Sequence, residues 1–107
     1  MTEIVTGTST LTFINIFTVE PKDQDHLLEL LIEATDQVIS KMPGFISANF
    51  HKSFDGTKVV NYAQWKSREA FEALFTDPEA VRHMMNMRGI ATTDKNFYEV
   101  VSVHGPK

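Results

Sequence analysis

The sequence predicts an α+β domain of the ferredoxin-like kind, its elements running βαββαβ. Three observations carry this. An Asp55-Gly56 pair separates two runs rich in β-branched and aromatic residues, which is the pattern of a β-hairpin. Helical stretches flank that hairpin, and apolar runs suited to strands lie near both chain ends. A four-stranded antiparallel sheet with helices on one face accounts for the order. A doubly wound parallel sheet leaves the hairpin unexplained.

In chain order, residues 11–19 (LTFINIFTV) carry apolar side chains on both sides, so this strand is covered on both faces. Glu20-Pro21 breaks it. Residues 23–42 place Leu27, Leu28, Leu31, Ala34, Val38 and Ile39 at helical spacing, with acids near the start and Pro43-Gly44 at the end. The hairpin spans 45–54 and 57–65. A short helix over 67–75 has Ser67 as N-cap, and a second segment from Asp77 to about Met87 has Pro78 at its first position. Gly89 stops it, a polar linker covers 91–95, and a last strand covers 96–103. Residues 1–10 are polar and read as a flexible arm, with the folded domain over 11–104.

With 107 residues the chain supports one hydrophobic core. It has no cysteine, which removes disulfides and thiolate chemistry and fits a cytoplasmic setting. The net charge of −4, three arginines and no basic run argue against nucleic acid. No apolar stretch approaches membrane-spanning length. A neutral or weakly charged organic ligand suits this composition.

A two-residue turn at Asp55-Gly56 sets Phe50 opposite Asn61, Ala48 opposite Ala63 and Ile46 opposite Trp65, on one face with Val59. Phe45, Ser47, Asn49, His51, Val60, Tyr62 and Gln64 then share the other face. Helices cover only one face. The apolar residues on the other therefore predict a homodimer in which two sheets meet.

Asn61 and Trp65 stand four apart on one strand and point to the helix side, where an amide and an indole N–H need partners. Either Asn61 bonds a helix terminus or loop carbonyl while Trp65 fills core, or both line a pocket and offer donors to a ligand oxygen. Asn15, between Phe13 and Phe17 in a central strand, poses the same question. Arg82 and His83 lie on a methionine-rich helix (Met84, Met85, Met87), and His83 is open to roles as a base, an axial ligand or plain core. His26 and His104 read as surface residues. No carboxylate pair, Ser-His-Asp order, Gly-rich loop or metal-ligand spacing is present.

The stretch 43–67, with Phe50-His51 before the Asp55-Gly56 turn and Asn61-Tyr62-Ala63-Gln64-Trp65 after it, resembles the antibiotic biosynthesis monooxygenase family. The likeness is specific over 43–71 and looser elsewhere, with the element order matching from Leu11 to Val103. It implies a dimeric α/β barrel that oxidises a small aromatic phenol, hydroquinone or anthrone with O₂ to a quinone, without flavin, haem or metal. Within a quinone-forming branch, the pocket asparagine and tryptophan match Asn61 and Trp65, and a strand histidine matches His51. Phe50 and Phe71 stand where that branch has tyrosines, and Arg82 is the nearest match to its helical arginine. A haem-degrading branch matches at Asn15 and, with one residue skipped, at His83, but places a tryptophan where Leu74 stands. A non-catalytic small-molecule or stress-response role is the third alternative.

Overall fold

A computed structural model describes all residues, 1–107. The strands β1 (Leu11–Val19), β2 (Phe45–Lys52), β3 (Lys58–Trp65) and β4 (Ala91–Tyr98) form one antiparallel sheet in the order β2-β3-β1-β4. Helices α1 (Gln24–Gln37), α2 (Arg68–Glu72) and α3 (Pro78–Met85) complete a ferredoxin-like α+β fold. β1 is central, as its apolar residues on both faces require. No helix is long and apolar enough to cross a membrane.

Local chemistry sets the helix ends. Ser67 Oγ accepts from the Ala70 N–H at 3.1 Å and starts α2. Asp77 Oδ1 accepts from the N–H groups of Glu79 and Ala80 and starts α3, with Pro78 at the first position. The first helix is shorter than its periodicity predicts. It ends at Gln37 and tightens to a single 3₁₀ turn at Ile39–Lys41. Met42 precedes Pro43, which pushes it to an extended ψ of 140°. The helix over 67–75 likewise divides into α2 and a 3₁₀ turn at Ala73–Thr76.

The hairpin register matches expectation at Phe50↔Asn61 and Ala48↔Ala63. Its turn is wider than two residues. Ser53 N–H donates to the Lys58 carbonyl at 3.0 Å, and Gly56 N–H donates to the Ser53 carbonyl at 3.2 Å. Both loop lengths are even, so the pairing and the faces are unchanged. Gly56 has φ +81°, and a Cβ there would stand 3.2 Å from Pro21. Asp55 organises the turn by accepting from Thr57 N–H, Thr57 Oγ1 and Ser53 Oγ.

Two further expectations fail. A bulge between Phe45 and Ser47 puts Phe45, not Ile46, opposite Trp65. Phe45 therefore leaves the outer face and meets the indole edge-on, with ring centroids 5.3 Å apart. Gly44, with φ +86°, precedes the bulge, and a Cβ on it would lie 2.5 Å from Ala70 Cβ on α2. The last strand begins at Ala91, not Asn96, so the supposed linker is half of β4. Gly89, at φ +80°, ends the helical segment, and the chain enters the sheet at once, with Ala91 opposite Val19. β4 ends at Tyr98, which pairs Thr12 close to the start of β1.

The helix-facing side of the sheet holds two apolar clusters. Phe13, Ala63 and Trp65 pack with Phe71, Leu74 and Ala80 from the α2–α3 region. Phe17, Val19 and Val59 pack with Leu27 and Leu31 from α1. On the outer face, Thr2 Oγ1 donates to Ser47 Oγ and accepts from Asn49, while Gln64 Nε2 donates to the Glu3 carbonyl.

The three hydrogen bonds to Asp55 lower its pKa from an ordinary 3.8 to about 2, the Thr57 N–H contributing most, then the Thr57 and Ser53 hydroxyls. A carboxylate depressed in the folded state adds stability above its unfolded pKa and loses it as pH falls through the folded one. Asp55→Asn is therefore expected to lower the urea midpoint at neutral pH. The gap from wild type should close as pH drops from 3.8 towards 2. A gap independent of pH would show that ionisation of Asp55 does not hold the turn.

Candidate functional site

Between the two apolar clusters the sheet and helices do not meet, leaving a cavity of about 330 Å³. That is within the roughly 300–1,000 Å³ of small-molecule sites. The sheet contributes Phe13, Asn15 and Phe17 from β1 and Asn61, Ala63 and Trp65 from β3. Leu27 and Leu31 of α1, Phe71 of α2 and Met84 of α3 form the opposite wall. Phe75, Arg88, Thr93 and Lys95 are exposed lining residues and mark the mouth.

The gap has a cause in the sequence. α2 has 5 residues and α3 has 8, too short to roof the whole sheet. The two clusters part where Asn15 interrupts Phe13 and Phe17 on β1, opposite Asn61 on β3. An apolar pair there would draw both clusters together, whereas amides favour an open, hydratable or ligand-filled space.

The amides are the chemical feature of the site. Asn15 Oδ1 and Asn61 Oδ1 are both buried with no hydrogen-bond partner. A buried acceptor left unpaired costs about 1–3 kcal/mol. By contrast, buried Gln24 spends its amide N–H groups on the Ser53 and Lys58 carbonyls, at 3.1 and 3.0 Å. Asn15 and Asn61 face each other across β1 and β3, and with neither Oδ1 meeting a donor of the chain, their amide N–H groups are left for a ligand oxygen.

Aromatic rings fix the rest of the wall. Trp65 is 2% exposed and stands edge-on to both Phe45 and Phe71, with centroids at 5.3 and 5.9 Å. Phe71 also meets Phe13 at 4.6 Å and Phe97 at 5.1 Å. Each such pair adds about 0.5–1.5 kcal/mol beyond area burial. The wall is therefore stiff beside the amides.

The structure brings Asn15, Asn61, Trp65 and Phe71 together on the cavity wall. The other residues singled out from the sequence lie elsewhere. Phe50 is half-buried against the α1-side cluster. His51 is exposed on the outer sheet face, where its Nδ1 lies 3.2 Å from the Asn49 carbonyl oxygen. Arg82 is exposed and paired with Glu79 one helical turn earlier. His83 is buried in α3 with Nε2 unpartnered, outside the cavity lining. Leu74, where the haem-degrading branch has a tryptophan, is a buried lining residue.

Thr35, Arg88, Thr93 and Lys95 line the cavity without having been singled out. The signal for two of them was the strand start. With β4 running from Ala91, alternation puts Thr93, Lys95 and Phe97 on the helix-facing side.

Comparison with known proteins agrees with this fold. The antibiotic biosynthesis monooxygenase family matches residues 10–86. The tetracenomycin-F1 monooxygenase of Streptomyces glaucescens is 42% identical over 94 residues, covering 88% of this chain and 84% of that protein. The crystal structure of the ActVA-Orf6 monooxygenase of Streptomyces coelicolor, in complex with nanaomycin D, superposes with TM-score 0.79 at 31% identity. It covers 91% of this chain and 92% of its own. SnoaB of Streptomyces nogalater, described as a cofactor-independent oxygenase, shares the fold at TM-score 0.72 and 22% identity, over 88% and 95% of the two chains.

If the two amides are unpaired in the absence of ligand, removing one should relieve strain. Asn61→Leu, close in size and apolar, is expected to raise stability by about 1–2 kcal/mol in urea unfolding. A loss of stability would mean that Asn61 is already satisfied within the fold.

Proposed function

The chain belongs to the antibiotic biosynthesis monooxygenase family, and from that premise we propose that its cavity oxidises a small phenolic or anthrone-like aromatic with O₂ to a quinone, using no cofactor. The observation that carries this is the pair of unpartnered amides beside Trp65 in an otherwise apolar, aromatic-lined cavity. The description of SnoaB as cofactor-independent supports the same view, as does the likeness to a tetracenomycin-F1 monooxygenase.

In this mechanism the substrate supplies the electrons. For an anthrone, a proton leaves the ring system and an electron-rich anion remains. One electron passes to O₂, the radical pair combines, and a C–O bond forms. The resulting peroxide takes up a proton. Loss of the remaining C–H proton with cleavage of O–O then gives the ketone and water. One oxygen atom enters the product and the other leaves as water with both hydrogens. The side-chain N–H groups of Asn61 and the indole N–H of Trp65 donate to the developing oxyanion, and Asn15 holds a second ring oxygen. The apolar walls exclude water and confine the radical pair.

Carboxylates are absent from the cavity wall, so the proton departs to solvent through the mouth. Phe71 holds the ring edge-on and supplies no proton, since it has no hydroxyl. No observation favours the haem alternative, because His83 stands outside the wall.

We further propose that the working form is a homodimer. Half-buried Ile14, Ile16, Val60 and Tyr62 share the outer sheet face, and Val101 and Val103 are exposed after β4. Light scattering should give twice the 12.1 kDa chain mass, and a monomer at micromolar concentration would contradict the proposal.

The catalytic reading is tested by O₂ uptake with anthrones and phenols. Asn61→Ala is expected to lower kcat by roughly 100-fold while leaving circular dichroism unchanged. An unchanged rate in a folded variant would remove Asn61 from the chemistry.

A further inference from the structure

The cavity wall carries two charged side chains, Arg88 and Lys95, and both are cationic. Neither is held by a carboxylate, since the ion pairs of the chain are Lys52–Asp25, Arg68–Glu72 and Arg82–Glu79. The chain as a whole has charge −4, so this cationic mouth is opposite in sign to the net charge. Both residues lie beyond residue 86, where the family match ends.

Lys95 has a defined place. It pairs with Asn15 across β1 and β4, and Asn15 pairs with Asn61 across β1 and β3. The three form one row across three neighbouring strands, all on the cavity wall. At about 4.8 Å per strand the row spans about 10 Å, the length of a fused polycyclic ring system. The flanking rows are largely apolar: Ala63, Phe13 and Phe97 on one side, Val59, Phe17 and Thr93 on the other. Amides at the centre and a cation at the open end describe a ligand with oxygens along its body and an anionic group at its tip.

We propose that the site selects an anionic polyoxygenated aromatic, with Lys95, assisted by Arg88, binding a carboxylate or ionised hydroxyl at the cavity mouth. This rests on the oxidative reading above and adds its substrate class. Binding the charge at the mouth fixes the depth to which the ring system enters, so that its far end reaches Asn61 and Trp65. Lys95 is an exposed residue of an edge strand, so the ion pair forms without full loss of water and weakens with salt. This narrows the expectation of a neutral or weakly charged ligand drawn from net charge, because net charge averages over a surface that the cavity does not share.

The test compares 1-hydroxy-2-naphthoic acid with its methyl ester by fluorescence titration, without turnover. Wild type should bind the acid more tightly than the ester by roughly fivefold, with the preference falling as salt rises. Lys95→Met should erase the preference and Lys95→Arg should keep it, while Lys52→Met, distant from the cavity, should change nothing. If an ionised hydroxyl is the group bound, ester affinity should rise at alkaline pH in wild type and not in Lys95→Met. In turnover, Lys95→Met should raise KM for an acidic substrate with little change in kcat. Equal binding of acid and ester by wild type with no alkaline rise in ester affinity, or an unchanged preference in Lys95→Met, would overturn the proposal. Such a result with normal O₂ uptake leaves the oxidative reading standing. Charge-selective binding with no O₂ uptake on any substrate removes that reading and keeps the cation site.

Discussion

The register of β1 against its two neighbours is the constraint on which the site depends. It places Asn61, Asn15 and Lys95 in one row and sets phenylalanines above and below Asn15. Slipping β1 by one residue would turn Phe13, Asn15 and Phe17 to the outer face and bring Ile14 and Ile16 inward. The cavity would then close on an apolar layer. Register is held by the core on both sides of the row, where Val59 and Leu27 are fully buried and Trp65 is nearly so.

This arrangement sets stability against function. A sheet that placed leucines at positions 15 and 61 could join its two clusters into one core, in place of two clusters and a cavity of about 330 Å³ between them. Amides with an unpaired buried acceptor are poor core residues, and their presence calls for a reason beyond packing. The aromatic contacts of Phe71 and Trp65 hold the wall open from one side. Short helices, each begun by a firm side-chain cap, leave the roof incomplete on the other.

Much of this was legible in the sequence, because its signals are local. The Asp55-Gly56 turn fixed the parity of the hairpin even though the loop proved wider, and parity alone puts Asn61 and Trp65 inside. Ser67 and Asp77 act as the caps that their neighbours suggest. The misses come from features that alternation does not encode. The bulge at Ile46 adds a residue without changing composition, and so Phe45 moved from the outer face to the indole. β4 is an edge strand with a polar outer side, so its first half resembles a linker. That misplacement hid Lys95, and with it the charge at the mouth. A pocket was one of two readings of Asn61 and Trp65, and the choice between them was beyond sequence, since periodicity reports which way a residue points and not whether anything meets it.

The central claim is that the two asparagines wait on a ligand's oxygens. A crystal structure of the protein with an anthrone bound under anaerobic conditions tests it most directly. The account predicts the ring system in the cavity, with ligand oxygens within hydrogen-bond distance of Asn15 and Asn61. A structure in which the two amides bond each other across a closed cavity, or in which the ligand lies elsewhere, would contradict it.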